Sequence, residues 1–182
     1  MNTVTKIINL FGGPGVGKST TATGLFSWMK QNKYSVEYVS EFAKELSWEG
    51  ATSQLENQAH VFAEQFRRQW RLVDQVEYVI TDSPLLLSSV YFEYYFNRTK
   101  QALFSDSYKE LAIKYFDSTY SEFNNIEIII NRNKDYVTQG RNQTLEEAVV
   151  IDDIIKSKVI APNLITNSQD SIQEIIQLIR KG

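Results

Sequence analysis

Directly after an apolar run, the chain reads Gly12-Gly13-Pro14-Gly15-Val16-Gly17-Lys18-Ser19. Glycines at this spacing, ended by a lysine and a hydroxyl, let backbone N–H groups turn inward around phosphate oxygens. Lys18 would bring a point charge to the β- and γ-phosphates, and Ser19 a hydroxyl to Mg²⁺. Gly12 to Ser19, with Thr20 behind them, are therefore the expected triphosphate-binding residues. A glycine turn that merely caps a helix is the plain alternative. The apolar strand expected before the loop and the helix expected after it favour phosphate binding.

Three further sites carry charge that fits the same chemistry. Glu41, in Val39-Ser40-Glu41-Phe42, is a carboxylate able to accept the proton of an attacking hydroxyl; an acidic residue opening a helix is its bland reading. Asp82, in Thr81-Asp82-Ser83-Pro84, stands where a carboxylate orients Mg²⁺ directly or through water; a turn or cap before Pro84 is the alternative. The segment Asn131 to Arg141 offers Arg132, Lys134 and Arg141. Its arginines suit phosphate recognition during transfer, against a solvated loop. Lys18, Glu41, Asp82, Arg132 and Arg141 are the expected catalytic residues, and Ser19 and Asp82 the expected Mg²⁺ ligands.

Positioning these groups needs alternating strands and helices. Strands are expected at Val4–Phe11, Tyr34–Val39, Tyr78–Thr81 and Ile126–Ile130, with a last apolar stretch at Val159–Ile165. Helices are expected at Lys18–Lys30, Leu85–Phe96, Ser107–Phe123 and Ser168–Arg180, with another opened by the Thr144/Glu147 capping box. One long helix is expected over Ser53–Gln75, begun by a Ser53/Glu56 capping box. Its apolar stripe would be Leu55, Ala59, Phe62, Phe66, Trp70 and Val73. Such alternation implies an α/β fold, a three-layer sandwich around a five-stranded parallel sheet. Ligands bind such sheets beyond the carboxyl ends of the strands, where the glycine loop, Glu41, Asp82 and Arg132 would meet.

Size and composition set the outer bounds. At 182 residues the chain fits one domain, 1–182, with a closing segment at about 131–143. Cysteine is absent, which excludes disulfides, thiolate metal sites and a cysteine nucleophile, and fits a reducing cytoplasm. The N-terminal apolar run is too short to span a membrane, so no membrane partner is expected. A net charge of −3 gives no global attraction to nucleic acid. Arg67, Arg68 and Arg71 read as a solvated helix face, and His60 lacks the partners a metal would need. Tyr91, Phe92, Tyr94, Tyr95 and Phe96 form the densest aromatic run, suited to core packing or to stacking on a base. A homodimer is left open.

Several classes of protein use such a phosphate loop. A GTPase would carry Asn-Lys-x-Asp after a late strand, but Asn133-Lys134-Asp135-Tyr136 misplaces the aspartate. A remodelling ATPase would place glutamate after the third-strand aspartate, where Ser83 stands. The remaining pattern resembles the P-loop kinases that act on nucleosides and nucleotides. Glu41 matches in place the glutamate that nucleoside kinases use as base, whereas Ser83 replaces their arginine. The stretch Arg132 to Asp152, with Gly140-Arg141-Asn142-Gln143-Thr144, looks like the lid of the nicotinamide-riboside-kinase-like ATPases, many of them encoded by bacteriophages. Viral kinases that phosphorylate 5-hydroxymethyluracil within DNA are similar in size and pattern. The resemblance implies a kinase that uses ATP and Mg²⁺ and passes the γ-phosphate to a hydroxyl of a nucleoside- or nucleotide-like acceptor. It also implies two alternatives, a DNA-modifying kinase acting in a host cytoplasm and a ribosylnicotinamide kinase or P-loop ATPase.

Overall fold

The computed structural model describes residues 4–96, 98, 104–133, 136, 143–167 and 169–181. Five strands and eight helices are assigned among them. In chain order these are β1 (Lys6–Phe11), α1 (Lys18–Gln31), β2 (Val36–Val39), α2 (Phe42–Trp48), α3 (Thr52–Glu56), α4 (Gln58–Trp70) and β3 (Tyr78–Thr81). Then follow α5 (Leu86–Phe96), α6 (Asp106–Ser121), β4 (Asn124–Asn131), α7 (Leu145–Lys158), β5 (Leu164–Asn167) and α8 (Ser171–Lys181).

The strands form one sheet in the order β2-β3-β1-β4-β5, and every pair is parallel. Helices cover both faces, which is why β1 can be almost wholly apolar: all of Ile7 to Phe11 is buried. Alternate residues of β1 serve different faces. Ile8 and Leu10 pack with Leu25 and Met29 of α1 and Ile175 and Ile179 of α8, whereas Phe11 packs with Leu87 and Val90 of α5, Phe116 of α6 and Ile151 of α7. The expected three-layer α/β sandwich with a five-stranded parallel sheet is the observed one.

Three local expectations are corrected. The long helix over Ser53–Gln75 is two helices, because Asn57 leaves helical geometry and its side chain accepts from the His60 N–H at 3.2 Å, capping α4. The Ser53/Glu56 capping box does not form; Ala51 stands at the start of α3 without a side-chain cap. With the helix restarted at Gln58, the buried face of α4 becomes Gln58, Val61, Phe62, Gln65 and Gln69. Ala59 and Trp70 of the expected stripe are exposed. Helix α2 opens directly after Glu41, as the plain reading of that residue supposed, and α7 runs on through Lys158, which moves the last strand from Val159–Ile165 to Leu164–Asn167. The Thr144/Glu147 capping box is present, with both of its hydrogen bonds. Among the described residues no helix is long and apolar enough to cross a membrane.

Candidate active site

The parallel sheet delivers four segments to its carboxyl edge. Val39 and Asn9 flank Thr81 in register, and Phe11 pairs with Ile129. The residues just beyond are therefore the glycine loop after β1, Glu41 after β2, Asp82 after β3 and Arg132 after β4.

The loop is held open by its glycines. Gly17, at φ 104°, takes a left-handed turn into α1 and provides no side-chain cap, so the first N–H groups of that helix are left for a ligand. Gly13 is required by crowding: an added Cβ would lie 2.6 Å from Asp152 Oδ1 and 2.8 Å from the Ala148 carbonyl. Lys18 folds beneath the loop and donates to the carbonyls of Gly12 at 2.7 Å and Gly13 at 3.1 Å. Burial pulls its ammonium down from the usual lysine value, and the carboxylates of Glu41, Asp82 and Asp152 pull it back up.

Ser19 and Asp82 meet directly. The Ser19 hydroxyl donates to Asp82 Oδ2 at 2.5 Å. Asp82 is only 2% exposed, and its other oxygen, Oδ1, is buried without a hydrogen-bond partner. An orphaned carboxylate oxygen beside a hydroxyl is a hard-oxygen donor set of the kind Mg²⁺ takes together with phosphates, so these residues fit that ion. The described residues contain no cluster of three or more His, Cys, Asp or Glu side chains that would hold a metal by itself. Tyr38 of β2 lies beside the same carboxylate; burial and then the Asp82 charge raise its phenol.

Glu41 borders a cleft that is also lined by Ser83, Ser88, Tyr91 and Gln143. Burial pushes its carboxyl above the usual glutamate value; Lys18 lowers it and Asp82 raises it further. A carboxylate so placed is poised for proton transfer. Its backbone is clamped by Gln65 of α4, whose Oε1 accepts from the Phe42 N–H at 3.1 Å while Nε2 donates to the Ser40 carbonyl at 3.3 Å. One turn on, Gln69 Nε2 donates to the Ser83 carbonyl at 3.4 Å.

Arg132 also lies at the loop. It donates from Nε to Asp152 Oδ2 at 2.9 Å and from Nη1 to the Pro14 carbonyl at 2.9 Å. The same aspartate accepts from the Gly13 N–H through Oδ1 at 2.6 Å. Lys18, Ser19, Glu41, Asp82 and Arg132 are thus brought to one edge. Lys134 and Arg141, with most of the expected closing segment, lie outside the described residues. What flanks that stretch is tied to the cleft: Tyr136 donates to the Gln143 carbonyl at 2.7 Å, and Gln143 Nε2 to the Tyr95 hydroxyl at 2.8 Å.

The remaining candidates are structural. Arg68 joins Glu45 of α2 and Glu64, and Arg67 joins Glu64. His60 packs edge-on against Phe42. Phe92, Tyr94 and Phe96 are core residues, while Tyr91 and Tyr95 face the cleft. Gln65, Gln69, Asp152 and Tyr38 were not singled out from the sequence. The glutamines offered the one usable signal, a four-residue spacing on the same helix face as Val61 and Phe62.

The glycine loop between β1 and α1, set at the edge of a five-stranded parallel sheet, defines a P-loop fold. More narrowly, it belongs to an AAA domain family, whose model matches residues 7–164. Among solved structures it is similar to deoxyadenosine kinase from M. mycoides with bound dATP, at 16% identity and TM-score 0.60, covering 95% of this chain and 98% of that one. It is also similar to NadR protein in complex with NR, at 12% identity and TM-score 0.62, covering 98% of this chain; it spans 50% of that protein's length. These likenesses show a shared fold. No curated protein matches the sequence.

Proposed function

We propose that the chain is an ATP-dependent kinase that passes the γ-phosphoryl group to a hydroxyl of a nucleoside- or nucleotide-like acceptor. The observation that carries this reading is the double position of Glu41. It is the leading opposite charge felt by Lys18, and it borders the cleft where a second substrate would lie. A half-buried carboxylate that faces both the phosphate lysine and a cleft beside it suits proton removal from a second substrate held in that cleft.

The loop N–H groups and Lys18 would hold the triphosphate, and Arg132 would add charge at its edge. Ser19 and Asp82 are the residues that would hold Mg²⁺, which supplies neutralising charge to the phosphate oxygens when bound. Glu41 would take the acceptor proton as the acceptor oxygen bonds to the γ-phosphorus. The bond from that phosphorus to the β–γ bridging oxygen breaks in line, and ADP leaves. Arg141 and a closing segment over 131–143 belong to the same proposal.

Site variants test the reading. Glu41→Gln is expected to slow transfer by about 10² to 10⁴-fold, the range a general base contributes, while leaving ATP affinity nearly unchanged. Lys18→Ala should lose both transfer and tight ATP binding. Normal turnover by Glu41→Gln would remove Glu41 from the mechanism.

A further inference from the structure

We infer that the cleft beside Glu41 selects its acceptor by charge: it takes an uncharged, nucleoside-sized molecule offering a hydroxyl and rejects one that carries phosphate. This rests on the kinase reading above, in which the acceptor oxygen bonds to the γ-phosphorus, its proton passes to Glu41 and ADP departs.

Each wall of the cleft points the same way. Leu55, Val61 and Leu87 supply an apolar side, and the Tyr91 and Tyr95 rings, stacked at 6.1 Å with 22° between their planes, supply an aromatic one. That pairing suits a flat heterocycle. The polar groups between them are neutral amides and hydroxyls. Gln58 spends Nε2 on the Leu55 carbonyl at 2.9 Å, and Gln143 spends its own on Tyr95, which leaves both carboxamide oxygens to meet N–H or O–H groups of a ligand.

Glu41 is the one charged side chain among the described lining residues. Phosphate recognition calls for guanidinium, ammonium or clustered N–H donors. On the surrounding elements Arg68 is committed to Glu45 and Glu64, Arg98 to Glu147, Arg132 to Asp152 and Lys18 to the loop carbonyls, while Lys44 of α2, whose charge reaches Glu41, is exposed and does not line the cleft. The cleft already resists negative charge. Burial, followed by the Glu41 charge, pushes the Tyr91 phenol well up. A phosphate dianion would enter that same field with no cation among the described lining residues.

The test uses the wild-type chain, Mg²⁺ and γ-labelled ATP. Acceptors are purine and pyrimidine nucleosides, their 5′-monophosphates, their 3′-monophosphates (which keep the 5′-hydroxyl), and DNA containing 5-hydroxymethyluracil. The inference expects kcat/KM for the best nucleoside to exceed that of both its monophosphates by at least a hundredfold, with no label entering DNA. Equal or better transfer to a monophosphate or to DNA overturns the inference and leaves the kinase standing. Label released only as inorganic phosphate overturns both. Calorimetry adds a readout that does not depend on turnover: in Glu41→Gln, the preference for binding nucleoside over its 3′-monophosphate should narrow about tenfold. An unchanged preference would rule out charge as the cause.

Discussion

The Ser19 hydroxyl and the Asp82 carboxylate are hydrogen-bonded at 2.5 Å, although 63 residues separate them in sequence. The contact exists because β1 and β3 are neighbours in register, with Asn9 opposite Thr81, so the starts of their following segments coincide. It leaves Asp82 Oδ1 buried and unpartnered, a defect of about 1–3 kcal/mol. Nucleotide with Mg²⁺ would relieve it. ATP with Mg²⁺ should therefore raise the melting temperature more than ATP with a chelator, and Asp82→Asn should erase most of the difference. A ligand at a hundred times its Kd adds about 2.7 kcal/mol, well within reach of a thermal-shift measurement. An equal shift with and without Mg²⁺ would remove Asp82 from ion binding.

Gln65 holds the peptide on both sides of Glu41. Replacing it with leucine strands a donor and an acceptor, at about 1–3 kcal/mol each, and frees the base to wander. Gln65→Leu should lower kcat by tenfold or more while the KM for ATP changes little, because the phosphate loop is untouched. Gln65→Glu, which keeps one of the two hydrogen bonds, should recover part of the rate. Equal losses in ATP affinity and kcat would mean a general collapse of the edge instead.

Asp152 bridges Arg132 and the Gly13 N–H. Its side chain and that of Arg132 are 12% and 16% exposed, so the pair is mostly shielded from water. Asp152→Ala should destabilise the fold by about 3 kcal/mol, the lower end for breaking a buried pair, and should weaken ATP binding by loosening the loop. Chemical unfolding and ATP titration check the two effects. A neutral result in both would make the bridge incidental.

Glu41 gives a pH dependence with a definite sign. Burial raises its folded value above the unfolded one, with Asp82 adding to the rise against Lys18. Below the unfolded value, near about pH 4, both states are protonated and the fold keeps its full stability. As pH rises through the folded value, the native state must ionise a poorly solvated carboxyl and stability falls. Glu41→Gln should therefore raise the melting temperature at about pH 7 and change it little near about pH 4. In the wild type, kcat/KM should gain activity along an acid limb lying above the ordinary carboxylate range, since the ionised form is the base. An acid limb at the ordinary value, or a destabilised Glu41→Gln at neutral pH, would contradict this.

What the sequence displayed was governed by local rules. The glycine loop sits between an unmistakable strand and helix, and Glu41, Asp82 and Arg132 follow from where strands end. What it hid depended on packing. The apolar rhythm through Leu55 and Phe62 concealed the break at Asn57, because periodicity does not register a cap. Gln58, Gln65 and Gln69 look like a solvated face until the restarted α4 turns them inward. Asp152, in a helix of mixed charge, showed nothing of its bond to Gly13, which lies 139 residues away and is set by the β1–β4 pairing. Helix α2 was signalled only by Glu41 as a possible helix opener, because seven residues of mixed polarity carry too little pattern to place it.

Whether this site gives its phosphate away is read from the fate of the γ-phosphate. In a single turnover with γ-labelled ATP, Mg²⁺ and a nucleoside mixture, label is expected in a phosphate ester on a nucleoside hydroxyl, formed faster than inorganic phosphate and lost in Glu41→Gln. Label appearing only as inorganic phosphate, at a rate indifferent to the nucleosides and to Glu41, would contradict it.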